Sequence, residues 1–599
     1  MKKNITIFIL LVFIASVSLV SCNEDLLDID QHGVIDADKT YTEADDATAQ
    51  QLIAQVYTQV KYLTTGDWGI NYFLTPTVKT AETWPGGSDP NDGGQYQEIA
   101  AMKDDAENGV YKDMYSRLYK IIYQSNLIVE KLNDETTERK RVIGEAKAWR
   151  AWSMMRLTQL WGSAPLVSHT LNGTEYPFDP ANTDPEESWV WIMQQFDEAA
   201  EVLPSKTGLG TQRTIGGRWT KEACFAFKGQ GYMWQNDYAD AKIWLGKVIS
   251  SGKYQLWNKT TTLADYGTNL NDLRDNNIST WIDGSEEYEY LTLFRAEADF
   301  CDEYLLEIDI DGDGTTVTDV EPFWFWAYAG WRQDQLYMTA NNTVGDGWGF
   351  VNPTKNFGLA FARHDGNSVR RRMSIATFDE VYYDFPYISD ANRGVMEGKK
   401  LYANQGYFRM KYFNHLDDQN QQRYTEGNPN GNTTNFPLLR YSNVLLMYAE
   451  AVCQSGAEGD AGLSGLDALN MVRTRAGLDP APGLDMDNET YGIKAERRFE
   501  LYLEDCDRYV DLVRWGDYKD YILDVSEKGA GEYWGEECAW LNGFVDPSKR
   551  TTDPTDLSNY DIIYDHLQNK SGWDDKYALF PFPYVEMNSN MNLVQNPGW

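Results

Sequence analysis

The chain has 599 residues and a formal net charge of −38, enough length for a large core and several domains. Acidity on this scale repels nucleic acid and anionic lipid, so neither is expected as a partner. Six widely spaced cysteines, five histidines, no C-x-x-C pair and no H-E-x-x-H motif argue against a disulfide framework and against a transition-metal enzyme.

The chain opens with Lys2 and Lys3, followed by an apolar run from Ile5 to Val20. That is a charged n-region before a signal-peptide h-region, too short for a comfortable membrane span. Small Ser21 directly before Cys22 makes a bacterial lipobox. Cleavage there would leave Cys22 lipidated at the new N-terminus, and the protein anchored to a membrane without spanning it. The plainer alternative is an ordinary secretory signal with a chance cysteine. Asn23 to Asp30 is acidic and poor in structure signals, which reads as a solvated tether. It resembles the surface-export signal of lipoproteins displayed outside the outer membrane; a plain linker is the alternative.

Helical signals follow. Glu107 to Asn133 places Val110, Met114, Leu118, Ile121, Ile122, Ile128 and Leu132 at helical spacing. Thr137 to Trp161 repeats the pattern and stops at Gly162, with Pro165 beyond. Glu186 to Leu203 is amphipathic and is closed by Pro204. Gly229, Tyr232, Tyr238, Ala241 and Leu245 then match the small/aromatic order of a tetratricopeptide helix pair. Later, Arg440 to Gln454 and Leu463 to Ala476 form a second pair, and Ile493 to Val513 one more long helix. The fold class expected is mainly α, a stacked helical-repeat scaffold. Residues 1–21 are assigned to the signal peptide, 22–45 to the lipidated cysteine and tether, 46–257 to an N-terminal helical region, 258–435 to a loop-rich region and 436–599 to a C-terminal helical region.

The aromatic load is high, with 21 Trp, 38 Tyr and 23 Phe, and much of it falls in Gly/Asn/Asp-rich segments. Trp281, Trp324, Trp326, Trp331 and Trp348 punctuate the middle region, where long loops suggest function and aromatics disfavour disorder. In Phe323-Trp324-Phe325-Trp326, an extended backbone would put the two Phe on one side and the two Trp on the other. A wholly buried strand fits the same run. In Trp84-Pro85-Gly86-Gly87-Ser88-Asp89-Pro90-Asn91-Asp92, a tryptophan among turn residues has little core to join. Asp309-x-Asp311-x-Asp313-Gly314 has the alternating oxygen ligands and tight-turn glycine of a calcium loop. Its twelfth position is Val320 where such loops carry Glu, so an acidic surface turn is the other reading.

Several phrases recur in order. Leu160-Trp161-Gly162-Ser163-Ala164-Pro165-Leu166 is followed by Pro437-Leu438-Leu439-Arg440-Tyr441 and Leu445-Leu446-Met447-Tyr448-Ala449-Glu450-Ala451. Then come Val472-Arg473-x-Arg475-Ala476-Gly477-Leu478, Glu496-Arg497-Arg498-x-Glu500-Leu501, Asp511-Leu512-Val513-Arg514-Trp515-Gly516 and a closing Asn596-Pro597-Gly598-Trp599. Together they closely resemble the SusD/RagB family of nutrient-binding outer-membrane lipoproteins.

The resemblance implies a SusD-like scaffold of tetratricopeptide-like helix pairs with a partly irregular ligand-binding half. It implies a lid on a SusC-like TonB-dependent transporter, an oligosaccharide or polysaccharide ligand, no required cofactor and no catalytic residue. It departs at Cys506, where family members usually have glycine. The glycan contacts expected are Trp84, Asp89, Asn91, Trp281, Tyr288, Trp324, Trp326 and Trp331, since aromatic faces stack on sugar rings and carboxylates and amides bond hydroxyls. Peptide binding on the same architecture, a glycoside hydrolase and a purely structural adaptor are the competing functions. No acidic pair stands out as a hydrolase would need. Arg440, Glu450, Glu496, Arg497, Glu500 and Arg514 sit on largely apolar helices and are expected to pair with opposite charges between helices.

Overall fold

The computed structural model describes residues 37–64, 71–170, 180–211, 216–257, 290, 293–294, 298–310, 328–330, 332, 348–381, 400–412, 435–527, 538–542, 547–565 and 573–599. Seventeen α-helices and nine short β-strands lie among them. The first part holds α1 (Ala37–Thr42), α2 (Asp46–Thr64), α3 (Asn71–Lys79), β1 (Thr83–Gly86), α4 (Gly94–Ala100), α5 (Gly109–Lys131), α6 (Thr137–Trp161), α7 (Pro185–Val202), α8 (Lys221–Trp234) and α9 (Tyr238–Ser250). The middle holds β2 (Tyr304–Ile308), β3 (Phe350–Pro353), α10 (Lys355–Asp365), α11 (Val369–Ser374), β4 (Ile375–Thr377), β5 (Lys400–Tyr402) and β6 (Tyr407–Arg409). Then come β7 (Phe436–Arg440), α12 (Tyr441–Ser455), α13 (Gly465–Arg475), α14 (Ile493–Glu500), α15 (Asp507–Arg514), α16 (Tyr518–Glu527), β8 (Cys538–Asn542), β9 (Asp561–Asp565) and α17 (Tyr584–Ser589).

Local chemistry sets the helix ends. The Asn108 side chain accepts from Val110 N to start α5, and Thr136 accepts from Arg139 N to start α6. Asp184 caps α7, with Pro185 at its first position. One face of α5 buries Val110, Met114, Leu118 and Ile121. By contrast, α6 is buried all round from Ala148 to Trp161, which makes it the central helix of the stack. Consecutive helices from α5 to α9 pack on one another; α9 then packs on α12 and α12 on α13, so the two helical regions form one continuous stack. The α8–α9 pair is close because Gly229 faces Leu245; a Cβ there would lie 2.7 Å from the leucine side chain.

Short antiparallel ladders tie the middle of the chain to both flanks. β1 pairs with β3, β2 with β7 and β5 with β8, which also pairs with β9. A fourth ladder, β4 with β6, lies within the middle.

The expected long helix over Ile493–Val513 is in fact two, α14 and α15, separated by 501–506. Leu503 and Asp505 there have φ of 59° and 41°. Tertiary charges account for the break. The Glu500 carbonyl accepts from Lys411 Nζ at 3.0 Å and from Arg440 at 3.3 Å, so it is diverted from continuing the helix. Glu504 turns inward to the same two cations, and Asp505 to Arg156. Cys506 has φ −105°, so its Cβ is accommodated without strain.

The charged helical residues are paired, as expected. Arg440 bonds Glu303, Glu500 at 3.1 Å and Glu504 at 2.5 Å. Arg514 forks onto Glu450 at 2.6 and 2.7 Å, and Arg497 onto Asp511 at 2.7 and 3.1 Å. Glu496 bonds Arg370 at 2.8 Å and also Arg473. Burial alone would raise the Glu500 pKa, but Arg475, Arg440 and Arg370 outweigh it and hold the carboxyl well below the usual range. These groups are buried or nearly so and pair with one another, which is a structural arrangement.

Candidate functional site

Where β1 meets β3, the chain makes a corner that gathers aromatic and polar side chains. Thr83, Trp84 and Gly86 face Pro353, Asn352 and Phe350 across the ladder. Gly86 has φ 85°, and a Cβ on it would lie 2.1 Å from the Gly349 carbonyl oxygen, so only glycine fits. That carbonyl accepts from Gly87 N at 3.1 Å and from Asn352 Nδ2 at 2.7 Å.

The turn over 87–93 leaves this corner. Asp92 accepts from Ser88 N at 2.8 Å and from Ser88 Oγ at 3.0 Å, and Asp89 accepts from Asn91 N at 2.8 Å. Gln97 of α4 bonds the carbonyls of Gly86 at 3.0 Å and Asp92 at 3.3 Å, which fixes the turn to the helix. Asn91 is exposed and Asp89 half-buried, so both present polar atoms from a braced loop.

Across the ladder stands Trp348. It is half-buried and meets Tyr328 edge-on at 4.7 Å; Tyr328 in turn meets Phe350 at 5.1 Å. Gly349 N donates to Gly330 O at 2.9 Å, and the methylenes of Arg332 lie against Gly349. Tyr96 backs the cluster beside Phe350, and its hydroxyl bonds Asn71. Burial, then Tyr328, pushes the Tyr96 phenol up, so it stays protonated. The corner therefore holds an indole, a phenol, a guanidinium, a carboxylate and an amide on backbone fixed by strand pairing. Such a set can stack on a sugar face and bond its hydroxyls.

The structure brings Asp89 and Asn91 to this corner. Trp84 is also here, but it is 0% exposed. The expectation that it had little core to join is corrected: its core is Asn352 and the strand carrying it, supplied from far along the chain. Trp281, Tyr288, Trp324, Trp326, Trp331 and Cys22 lie outside the described residues, as do Asp311 and Asp313 of the calcium-loop pattern. Asp309 is described and half-buried; it lines a groove of about 400 Å³ with Tyr57, Lys61 and Arg218. Sequence reading noted Trp348 among the loop tryptophans but did not name it, Tyr328 or Arg332 as individual glycan contacts. The signal was present for Trp348, which sits between Gly347 and Gly349 as Trp84 sits among turn residues.

A model described as "SusD family" matches residues 303–599, and one described as "Starch-binding associating with outer membrane" matches 35–232. SusD-like protein P38 of Formosa agariphila is 22% identical over 528 residues, covering 86% of this chain and 92% of that protein. SusD-like protein P25 of the same organism is 23% identical over 560 residues, covering 87% and 92%. The fold is shared with surface glycan-binding protein A from Bacteroides thetaiotaomicron in complex with laminarihexaose, at TM-score 0.65 and 19% identity, covering 92% of this chain and 99% of that one. A laminarin-binding SusD-like protein superposes at TM-score 0.64 with 21% identity, covering 92% and 99%. With both models matching in order and the helical stack shared, the chain belongs to the SusD family.

Proposed function

We propose that this protein is a cell-surface glycan-binding lipoprotein. It captures an oligosaccharide or polysaccharide and passes it, as a lid, to a SusC-like TonB-dependent transporter. The observation that carries the glycan assignment is the half-exposed Trp348, two residues before β3 and next to Gly349, whose carbonyl accepts from Gly87 at the start of the 87–93 turn. A flat indole face with nearby amide and carboxylate suits a pyranose, whereas peptide capture would use backbone pairing at an open strand edge. Trp348 is the proposed platform, Asp89 and Asn91 the proposed hydroxyl contacts, and Trp324, Trp326, Trp331, Trp281 and Tyr288 further contacts. Binding without cleavage fits the two solved structures named above, which are described as laminarin-binding and glycan-binding proteins. Cys22 is proposed as the lipid anchor on the outer membrane; among the described residues no helix is long and apolar enough to cross a membrane.

Affinity electrophoresis of the chain begun after Cys22 tests the proposal, with laminarin first and other plant, host and microbial polysaccharides after it. Retardation by one glycan class without its breakdown is the expected result. Product release would reveal a hydrolase, and no retardation by any glycan would turn attention to peptides.

A further inference from the structure

The corner is tied to the C-terminal helices through Glu82, the residue before β1. Glu82 is 2% exposed, yet its carboxylate serves three helices at once. Its Oε1 accepts from Arg498 Nε of α14 at 2.7 Å, from Arg508 Nε of α15 at 2.8 Å and from the Tyr521 hydroxyl of α16 at 3.3 Å. Tyr521 in turn accepts from Arg498 Nη2 at 3.0 Å. At the seam one guanidinium, Arg440, is shared by three carboxylates; here one carboxylate is shared by two guanidiniums.

The backbone of Glu82 is held as well. Its carbonyl accepts from Thr354 N at 3.0 Å, just after β3, and Thr354 Oγ1 donates to the Ala81 carbonyl at 3.0 Å. The same Oγ1 accepts from Phe357 N, so the residue that caps α10 also closes the β1–β3 ladder. Ala81 has φ 66°, a left-handed conformation that alanine keeps only where its surroundings impose it. From Glu82 the bracing runs into the corner. Thr83 and Trp84 pair with β3, Gly86 meets Gly349, and Gly87 N donates to the Gly349 carbonyl at the head of the 87–93 turn.

We infer that Glu82 is a positioning residue for glycan binding: its clamp on Arg498 and Arg508 fixes the β1 backbone from which the Asp89–Asn91 turn projects. The inference rests on the corner being the glycan site. Buried as it is, Glu82 does not touch the sugar and acts through the strand. A binding constellation keeps its affinity when the groups behind it hold it within about 0.5 Å of the productive geometry. Exposed ion pairs are too loose for that, whereas three donors converging on one buried carboxylate oxygen define its position.

The test is calorimetric titration of the chain begun after Cys22, well below each variant's melting temperature, with laminarihexaose or an oligosaccharide of whichever polysaccharide retards the protein. Glu82→Ala should weaken binding about tenfold, and Glu82→Gln, which keeps an acceptor oxygen, should recover part of that loss. Glu82→Ala leaves two guanidiniums without their carboxylate and is the variant most at risk of unfolding. Arg508→Gln keeps the Glu82–Arg498 pair and should still weaken binding about threefold. Because the effect runs through the turn, that factor should shrink when Arg508→Gln is combined with Asn91→Ala. A merely structural role would give the same factor in both backgrounds. Without glycan, hydrogen exchange in Arg508→Gln should quicken over 83–93 and stay unchanged over 137–161. Unaltered affinity in folded Glu82→Ala and Arg508→Gln, equal factors with and without Asn91→Ala, or unaltered exchange over 83–93 overturns the inference. A wild-type chain that binds no glycan, with exchange over 83–93 still quickened in the variant, would instead fail the glycan reading and leave Glu82 as the residue that fixes the turn.

Discussion

The seam around Arg440 and the corner around Trp348 use similar side chains in opposite ways. At the seam, Arg440, Glu303, Glu500 and Glu504 are buried and spend their charges on one another. At the corner, strand pairing and the Gly86–Gly349 contact brace the backbone, while an indole, an amide and a carboxylate remain within reach of solvent. Charge density in this sequence therefore marks architecture. The candidate binding surface lies in side chains left half-open on rigid backbone.

The sharpest break in this contrast is Arg440→Ala. It takes the shared cation from three buried carboxylates, leaving Glu303 and Glu500 to Arg475 and Glu504 to Lys411, and should cost about 3–5 kcal/mol, read as a large drop in urea midpoint. Trp84→Ala should cost about 3–5 kcal/mol of stability as well, because a fully buried indole leaves a cavity. Gly86→Ala meets the Gly349 carbonyl at a positive φ; a cost of about 1–3 kcal/mol and loss of glycan binding are expected from melting and titration. Trp348→Ala should weaken glycan binding by about 1–3 kcal/mol with little change in melting temperature. Equal destabilisation by Trp84→Ala and Trp348→Ala would erase the distinction between core and platform.

A further effect is expected with pH. Burial would raise the Asp365 pKa, but Arg370 outweighs it and holds the carboxyl at about 2. Its folded value lies below the ordinary 3.8, so its contribution is full above that pH and is lost as pH falls through about 2. Asp507 is the reverse. Burial, then Asp505, pushes it up to about 7, and its nearest partners are the amides of Gln230 at 3.2 Å and Asn443 at 2.9 Å. The folded chain therefore holds a proton the unfolded chain releases, and stability falls as pH rises from about 4 to 7. Asp507→Asn should flatten that part of a urea-midpoint profile; an unchanged slope would show that another group holds the proton.

Legibility followed the range of the forces. The helix over 137–161 was readable to the residue because Thr136 and Gly162 sit at its ends. The break at 501–506 was not, because Lys411, Arg440 and Arg156 impose it from elsewhere in the chain. Trp84 was misread for a related reason: its loop-like neighbours are local, but its partner strand is not. Asp89 and Asn91 could be placed on a turn because turn chemistry is local, whereas Trp348 looked like any of several loop tryptophans until its neighbour Gly349 was set against Gly87.

The most direct test of the corner as the glycan site is hydrogen–deuterium exchange with and without laminarihexaose, or with whichever glycan retards the protein. Slowed exchange in peptides covering 87–93 and 348–352, with none over 493–514, is the result expected. Protection confined to other segments, with 87–93 and 348–352 unchanged, would contradict it.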